Sequence, residues 1–194
     1  MTTIKITGFA GSLREGSFNC KLLERAAVGA REAGAEVDLV DLRDFEVPIY
    51  HGDLEAENGL PAGVLAFKDR LREADGLLIA SPEYNSSVAP VLKNMIDWAS
   101  RPSSKDAPDP CLAGKVAGLM ASSPGRLGGI RGLSHLRDIL LNVGIQVTSK
   151  QYALPGAHES FEADGSLSVE HIDQSVLEVG HEVVRMAGAL RTAS

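Results

Sequence analysis

Short apolar, β-branched runs alternate five times with stretches whose apolar residues recur at helical spacing, and that alternation leaves few architectures open. A strand, a helical crossover and a further strand must wind right-handedly onto one parallel sheet. The strand-like runs are Ile4-Lys5-Ile6-Thr7-Gly8-Phe9, Glu36-Val37-Asp38-Leu39-Val40-Asp41, Leu77-Leu78-Ile79-Ala80, residues 116–121 and Ile145-Gln146-Val147-Thr148. The third and fourth are continuously apolar, as strands covered on both faces are; the second alternates and belongs near a wet edge. Between them fall the apolar stripes Leu22, Leu23, Ala26, Ala27 and Ala30; Val64, Phe67 and Leu71; Val91, Leu92, Met95, Ile96 and Ala99; Leu133, Leu136, Leu140 and Val143; and Ile172, Val176, Val179, Val183 and Leu190. The expected fold is α/β: a doubly wound five-stranded parallel sheet of order 2-1-3-4-5, with helices on both faces. With 194 residues, it is expected to form a single domain over residues 1–194.

Residues 44–61 carry acids, prolines and glycines without periodicity and read as a long surface connection; residues 101–110 read as a loop. Lys and Arg number 19 against 26 Asp and Glu, a formal charge of −7, so neither nucleic acid nor an anionic membrane face is an expected partner. No apolar stretch approaches the roughly 20 residues of a membrane span, and the N-terminus lacks the apolar core of a signal peptide. A cytoplasmic location is expected. Cys20 and Cys111 form neither a disulfide framework nor a metal motif, and the histidines are scattered, so no metal site is expected.

In such sheets ligands bind beyond the carboxyl ends of the strands, where the winding reverses. The loops there begin at Gly11, Pro82 and Ser122. The first, residues 11–19, places Ser12, Arg14, Ser17 and Asn19 just before a helix. Free N–H groups at a helix N-terminus, hydroxyl donors and a planar cation suit a phosphate; a capped turn with a solvated arginine has the same composition. Neither GxxxxGK[ST] nor GxGxxG is present, and a loop without Lys suits a terminal monophosphate better than a metal-bridged triphosphate. In the second loop Tyr84 and Asn85 could meet a flat heteroaromatic ring, or pack as turn residues. In the third, Ser122 precedes glycines that permit close backbone approach to a ligand, or simply a flexible connection.

Gly11-Ser12-Leu13-Arg14 with Ser17 and Asn19, then Pro82-Glu83-Tyr84-Asn85, then Leu92-Lys93-Asn94-Met95-Ile96-Asp97-Trp98, resemble the NADPH-dependent FMN reductase family, a flavodoxin-like group that includes bacterial quinone, chromate and azo-dye reductases. The resemblance covers nearly the whole chain. It implies that Ser12, Leu13, Arg14, Ser17, Phe18 and Asn19 bind the FMN phosphate end, that Pro82, Glu83, Tyr84 and Asn85 contact the isoalloxazine, and that Ser122 and Gly125 meet the other end of the ring. The family often has Pro-Gly where this chain has Ala89-Pro90, which alters the entry to that helix and the pocket beside it.

The resemblance further implies FMN as cofactor, NADPH or NADH as hydride donor, and a quinone or similar small molecule (flavin, chromate, azo compound) as acceptor, in a ping-pong sequence. The flavin carries that chemistry, so no catalytic side chain is expected. The alternatives are a flavodoxin-type electron carrier, whose acidic docking face −7 would also fit, and an FMN-binding sensor without turnover. Family members cover each flavin partly from a second subunit, so a homodimer or homotetramer is expected, with Glu83 and Arg101 as candidates for pairing across the contact.

Overall fold

A computed structural model describes residues 3–103 and 111–193; most of the loop expected at 101–110 therefore lies outside the described residues. The chain runs β1 (Lys5–Ala10), α1 (Phe18–Glu32), β2 (Glu36–Val40), α2 (Gly52–Asn58), α3 (Ala62–Glu73), β3 (Gly76–Ala80), β4 (Glu83–Tyr84), β5 (Ser87–Val88), α4 (Pro90–Ala99), β6 (Val116–Ser122), α5 (Ile130–Asn142), β7 (Gln146–Leu154) and α6 (Glu170–Ala193). The main sheet has the order β2-β1-β3-β6-β7 and every pairing in it is parallel. Counted among its own five strands, that is the 2-1-3-4-5 order read from the alternation.

Period-2 alternation divides the core between the two faces. Phe9, Leu77, Ile79, Ala117, Leu119 and Ala121 join the side chains of α3, α4 and α5, while Ile6, Ala10, Leu78, Ala80, Val116 and Met120 join those of α1 and α6. β3 and β6 are buried at every residue; β2, at the edge, has none buried. On the second face α1 and α6 cross so closely that a Cβ at Gly29 would lie 2.2 Å from the Leu177 carbonyl oxygen and one at Gly180 2.1 Å from that of Ala26. Glycine at both positions lets the two backbones touch. Beside the crossing Arg25 donates to the Asp173 carboxylate, which also accepts the Leu167 N–H at 2.9 Å.

Three elements differ from the sequence expectation. The connection 44–61 contains α2, whose residues are all exposed or half-buried, so it has no apolar stripe to betray it. It is capped by His51 and tied down by Tyr50 Oη, which donates to Glu55 at 2.8 Å. β7 continues to Leu154 rather than stopping near Thr148, because a register shift opposite residues 117–119 interrupts its alternation. The second loop is a hairpin: β4 and β5 pair antiparallel around Asn85 and Ser86, at φ +50° and +67°. Two consecutive left-handed residues are the requirement of a tight type I′ turn, and Asn is among the few side chains that tolerate it.

Candidate functional site

The loops after β1, β3 and β6 share the carboxyl end of the sheet on either side of the point where its winding reverses. In the first loop Gly11 donates to the Ala80 carbonyl at 2.8 Å, the last rung between β1 and β3. Beyond it the backbone turns free. Among the described residues, the main-chain N–H groups of Ser12, Leu13, Arg14, Glu15 and Gly16 find no acceptor, and Arg14 has no anionic partner. Ser17 caps α1, its Oγ accepting the Asn19 N–H at 3.3 Å. No acidic residue occupies the first turn to spoil the positive end of the helix.

Aromatic contacts hold this loop in place. The Arg14 guanidinium lies 5.2 Å from the centroid of Phe18, which stacks on Phe161 at 6.2 Å with 4° between the ring planes. Phe161 comes from the polar stretch before α6, where it forms an isolated antiparallel bridge with Leu167. Nothing in that stretch except the lone aromatic could have signalled its place beside the first loop. Phe18 is thus a prop for Arg14 as well as part of the loop.

Asn19 is bonded to the third loop. Buried to 4% exposure, it donates from Nδ2 to the Ser122 carbonyl at 3.1 Å and accepts the Ser122 N–H at Oδ1 at 3.0 Å. Both ends of its amide therefore hold the end of β6 and link the first loop to the third. Ser122 itself is 3% exposed, and among the described residues its hydroxyl has no hydrogen-bond partner. A buried hydroxyl without a partner is costly, and this one stands at the end of β6 beside the first loop.

In the second loop Pro82 is buried while Tyr84, 51% exposed, stands on the hairpin beside Asn85. The Glu83 side chain points to α5. Its carboxylate accepts the N–H groups of Arg131 at 2.9 Å and Gly132 at 3.1 Å and the Arg131 Nε at 2.7 Å, clasping the first turn of α5. Burial alone would raise this carboxyl, but the guanidinium and the two N–H groups outweigh it and hold Glu83 below the ordinary glutamate range. Arg101 likewise pairs with Glu55 at 2.9 Å and lies over the Tyr50 ring. Both residues expected to pair between subunits are thus satisfied within the chain.

The third loop separates its glycines by role. Gly125 is open, with only the Ser123 hydroxyl near it. Gly128 and Gly129, at φ +60° and +96°, press on protein rather than on open space: a Cβ at Gly128 would lie 2.7 Å from the Ala153 carbonyl carbon, and one at Gly129 2.7 Å from Ala121 Cβ. α4, entered through Ala89 with Pro90 at its first position, contributes from its other end. Asn94 Nδ2 and Trp98 Nε1 both donate to the Pro48 carbonyl, at 2.9 and 2.8 Å, and Asn94 Oδ1 accepts the Tyr50 N–H. The spacing of Asn94 and Trp98 thus fastens the segment after β2 to the helix, with Trp98 inside its own subunit. Cys20, just inside α1, is not activated; burial pushes its thiol up.

The fold and this crevice define a doubly wound, flavodoxin-like α/β protein whose first loop presents free N–H groups beside a helix N-terminus. A family model for NADPH-dependent FMN reductase matches residues 4–159, and the chain belongs to that family of oxidoreductases, which work with FMN and NAD(P)H. It is 40% identical over 165 residues to an NAD(P)H-dependent FMN reductase of Pseudomonas aeruginosa, covering 84% of each chain. Against a quinone reductase of Escherichia coli strain K12 the identity is 38% over 178 residues, covering 90% of this chain and 88% of the relative. Among solved structures, a flavoenzyme NAD(P)H:(acceptor) oxidoreductase from Paracoccus denitrificans superimposes with a TM-score of 0.80 at 31% identity, covering 96% of this chain and 98% of the other.

The residues fit FMN on three counts. The first loop offers five adjacent N–H groups, a helix N-terminus and an arginine without an anion, which is the donor set of a phosphate monoester. The orphaned Ser122 hydroxyl supplies a buried donor, and Tyr84 an exposed ring. Among the described residues no group of His, Cys, Asp and Glu could hold a metal ion, and no helix is long and apolar enough to cross a membrane.

Proposed function

We propose that this protein transfers hydride from NADPH or NADH, by way of FMN held in the crevice, to a quinone or a similar small acceptor such as a flavin, chromate or an azo compound. The observation that carries the reading is the first loop: its free N–H groups and unpaired Arg14 make an anion site in a chain of charge −7. Bound FMN supplies the redox chemistry, taking hydride from the nicotinamide and passing electrons to the acceptor. In this reading Ser12, Leu13, Arg14, Ser17 and Phe18 form the phosphate end, Pro82, Tyr84 and Asn85 lie against the ring, and Ser122 and Gly125 close its far end. The work of the protein is positioning, together with the Ser122 hydroxyl and nearby N–H groups as fixed donors.

Donor and acceptor would use the crevice in turn, which gives ping-pong kinetics. Leu13, Tyr84, Leu127 and Ile130, all exposed, edge the crevice with apolar surface, and this supports a second copy of the chain covering it as a homodimer or homotetramer. The deciding experiment is an absorption spectrum of the protein with FMN, followed by anaerobic NADPH and then a quinone. Bleaching by NADPH and recovery with quinone are expected, with parallel initial-rate lines as the acceptor is varied. Bound flavin that neither NADPH nor NADH reduces would overturn the enzyme reading in favour of an electron carrier. A monomeric sedimentation mass with FMN bound would remove the oligomer.

A further inference from the structure

Two polar side chains, Asn19 and Glu83, reach from separate loops toward the same piece of chain. Asn19, on α1 just after the first loop, holds Ser122 by both its N–H and its carbonyl; Glu83, in the second loop, holds the N–H groups of Arg131 and Gly132 and the Arg131 side chain. Among the described residues no side-chain hydrogen bond joins the first loop to the second directly. The polar connection between them therefore runs through residues 122–132, gripped at both ends. The middle of that segment is braced by Gly128 against the β7 backbone and by Gly129 against Ala121, so a displacement at one end has little slack to absorb it. Gly132 adds a steric contact, since a Cβ there would lie 3.2 Å from the Ser87 carbonyl of the hairpin.

We propose that Asn19 and Glu83 are positioning residues that, through the opposite ends of residues 122–132, lock the phosphate-binding and ring-binding loops into one geometry, so that occupying either loop firms the other. This rests on the FMN reading of the crevice. Amides and carboxylates that complete two or three hydrogen bonds with backbone fix orientation far better than packing alone, because each bond is directional and its loss leaves a buried group unpaired. The coupling follows from the shared segment and needs no contact between either residue and the flavin.

The test compares FMN with riboflavin, which has the ring and no phosphate, by quenching of flavin fluorescence in wild type, Asn19→Leu, Asn19→Asp, Glu83→Gln and the Asn19→Asp/Glu83→Gln double variant. Wild-type uptake of FMN reads the underlying assignment; no uptake there overturns that assignment and the positioning roles with it. Given uptake, Asn19→Leu is expected to weaken FMN and riboflavin alike, by roughly tenfold for two lost hydrogen bonds, with Asn19→Asp intermediate because it keeps the acceptor for Ser122 N–H. Loss of FMN affinity with riboflavin unchanged would make Asn19 a phosphate ligand and overturn the proposal. The double variant is expected to lose less than the product of the single losses, since breaking either grip already frees the segment; a simple product would show two independent loops and also overturn it. Hydrogen exchange on the flavin-free protein gives a readout apart from binding. Asn19→Asp is expected to speed exchange at the Gly132 N–H as well as at Ser122, and faster exchange at Ser122 alone refutes the coupling. If Asn19→Leu fails to fold, Asn19→Asp carries both comparisons.

Discussion

The first and third loops are both rich in small residues, yet they are built to opposite ends. Residues 12–16 leave every main-chain N–H free and have no side chain across from Gly16, at φ +62°. Residues 128–129 bend through left-handed conformations of the same kind, but there the missing Cβ atoms are what allow the loop to close on Ala153 and Ala121. One loop stays open; the other is a clasp. Glycine content alone does not distinguish them, because the same residue serves a backbone that must meet a ligand and one that must meet its own neighbours.

The sharpest way to break this distinction is at Gly128. Gly128→Ala combines a left-handed conformation, worth about 1–2 kcal/mol against a side chain, with an overlap against β7 backbone that a further ~1–3 kcal/mol of strain would accompany. A loss near 3 kcal/mol corresponds to a fall in Tm of roughly 6–12 °C for a chain of this size. Thermal unfolding of the flavin-free protein measures it. A Gly128→Ala protein as stable as wild type would mean that the third loop is no clasp.

How much of this was legible beforehand divides along the same line. The sheet order could be read because buried strands must be apolar and a right-handed crossover leaves one way to wind them, so Leu77 to Ala80 and residues 116–121 declare themselves. α2 could not, since none of its residues is buried and it owes its place to Tyr50, Glu55 and Arg101 instead. At the site, the composition of the first loop raises the expectation of an anion-binding turn. It could not announce that Asn19 would spend its amide on Ser122, because a buried Asn and a ligand-binding Asn have the same identity at the same helix position. Glu83 is similar: its partners stand 48 and 49 residues away, and nothing local in the sequence points to them.

The open character of the first loop is tested next at Arg14. Its guanidinium has no carboxylate partner and rests on Phe18, so Arg14→Ala removes little from the flavin-free protein, within about 0.5 kcal/mol. A charge-assisted bond to a phosphate is worth about 1.5–3 kcal/mol, so the dissociation constant for FMN is expected to rise roughly tenfold to a hundredfold while that for riboflavin stays nearly constant. Flavin fluorescence titration separates the two. Equal losses for both flavins would place Arg14 in the architecture of the loop and not at the phosphate.

Glu83 sharpens the clasp by way of pH. The folded carboxyl sits below its unfolded value, so the stability it contributes is complete above the ordinary glutamate range and is lost as pH falls through the lower folded value. Glu83→Gln is expected to cost about 1–2 kcal/mol at neutral pH, since the amide cannot replace all three accepted bonds. More tellingly, the variant loses less stability than wild type between neutral pH and the acid side of that range. Denaturant unfolding at a series of pH values reads the difference; parallel acid limbs for the two proteins would show that the Glu83 charge does not hold α5.

Gly16 gives the smallest effect and completes the pair with Gly128. A Cβ there meets nothing within 4 Å, so Gly16→Ala faces only the left-handed penalty of about 1–2 kcal/mol, and the stiffer unfolded chain returns about 0.4–1 kcal/mol of it. The net fall in Tm should stay within about 6 °C, short of the Gly128→Ala result although the φ angles differ by only two degrees. The added methyl nevertheless stands on a loop whose N–H groups face outward without partners. Any weakening of FMN binding in Gly16→Ala comes from the methyl meeting the ligand or from the strained backbone shifting these N–H groups, because the protein offers the methyl no contact of its own. A Gly16→Ala protein that loses as much stability as Gly128→Ala would show that the backbone angle alone accounts for both glycines, and that the contrast between open loop and clasp does not lie in what surrounds them.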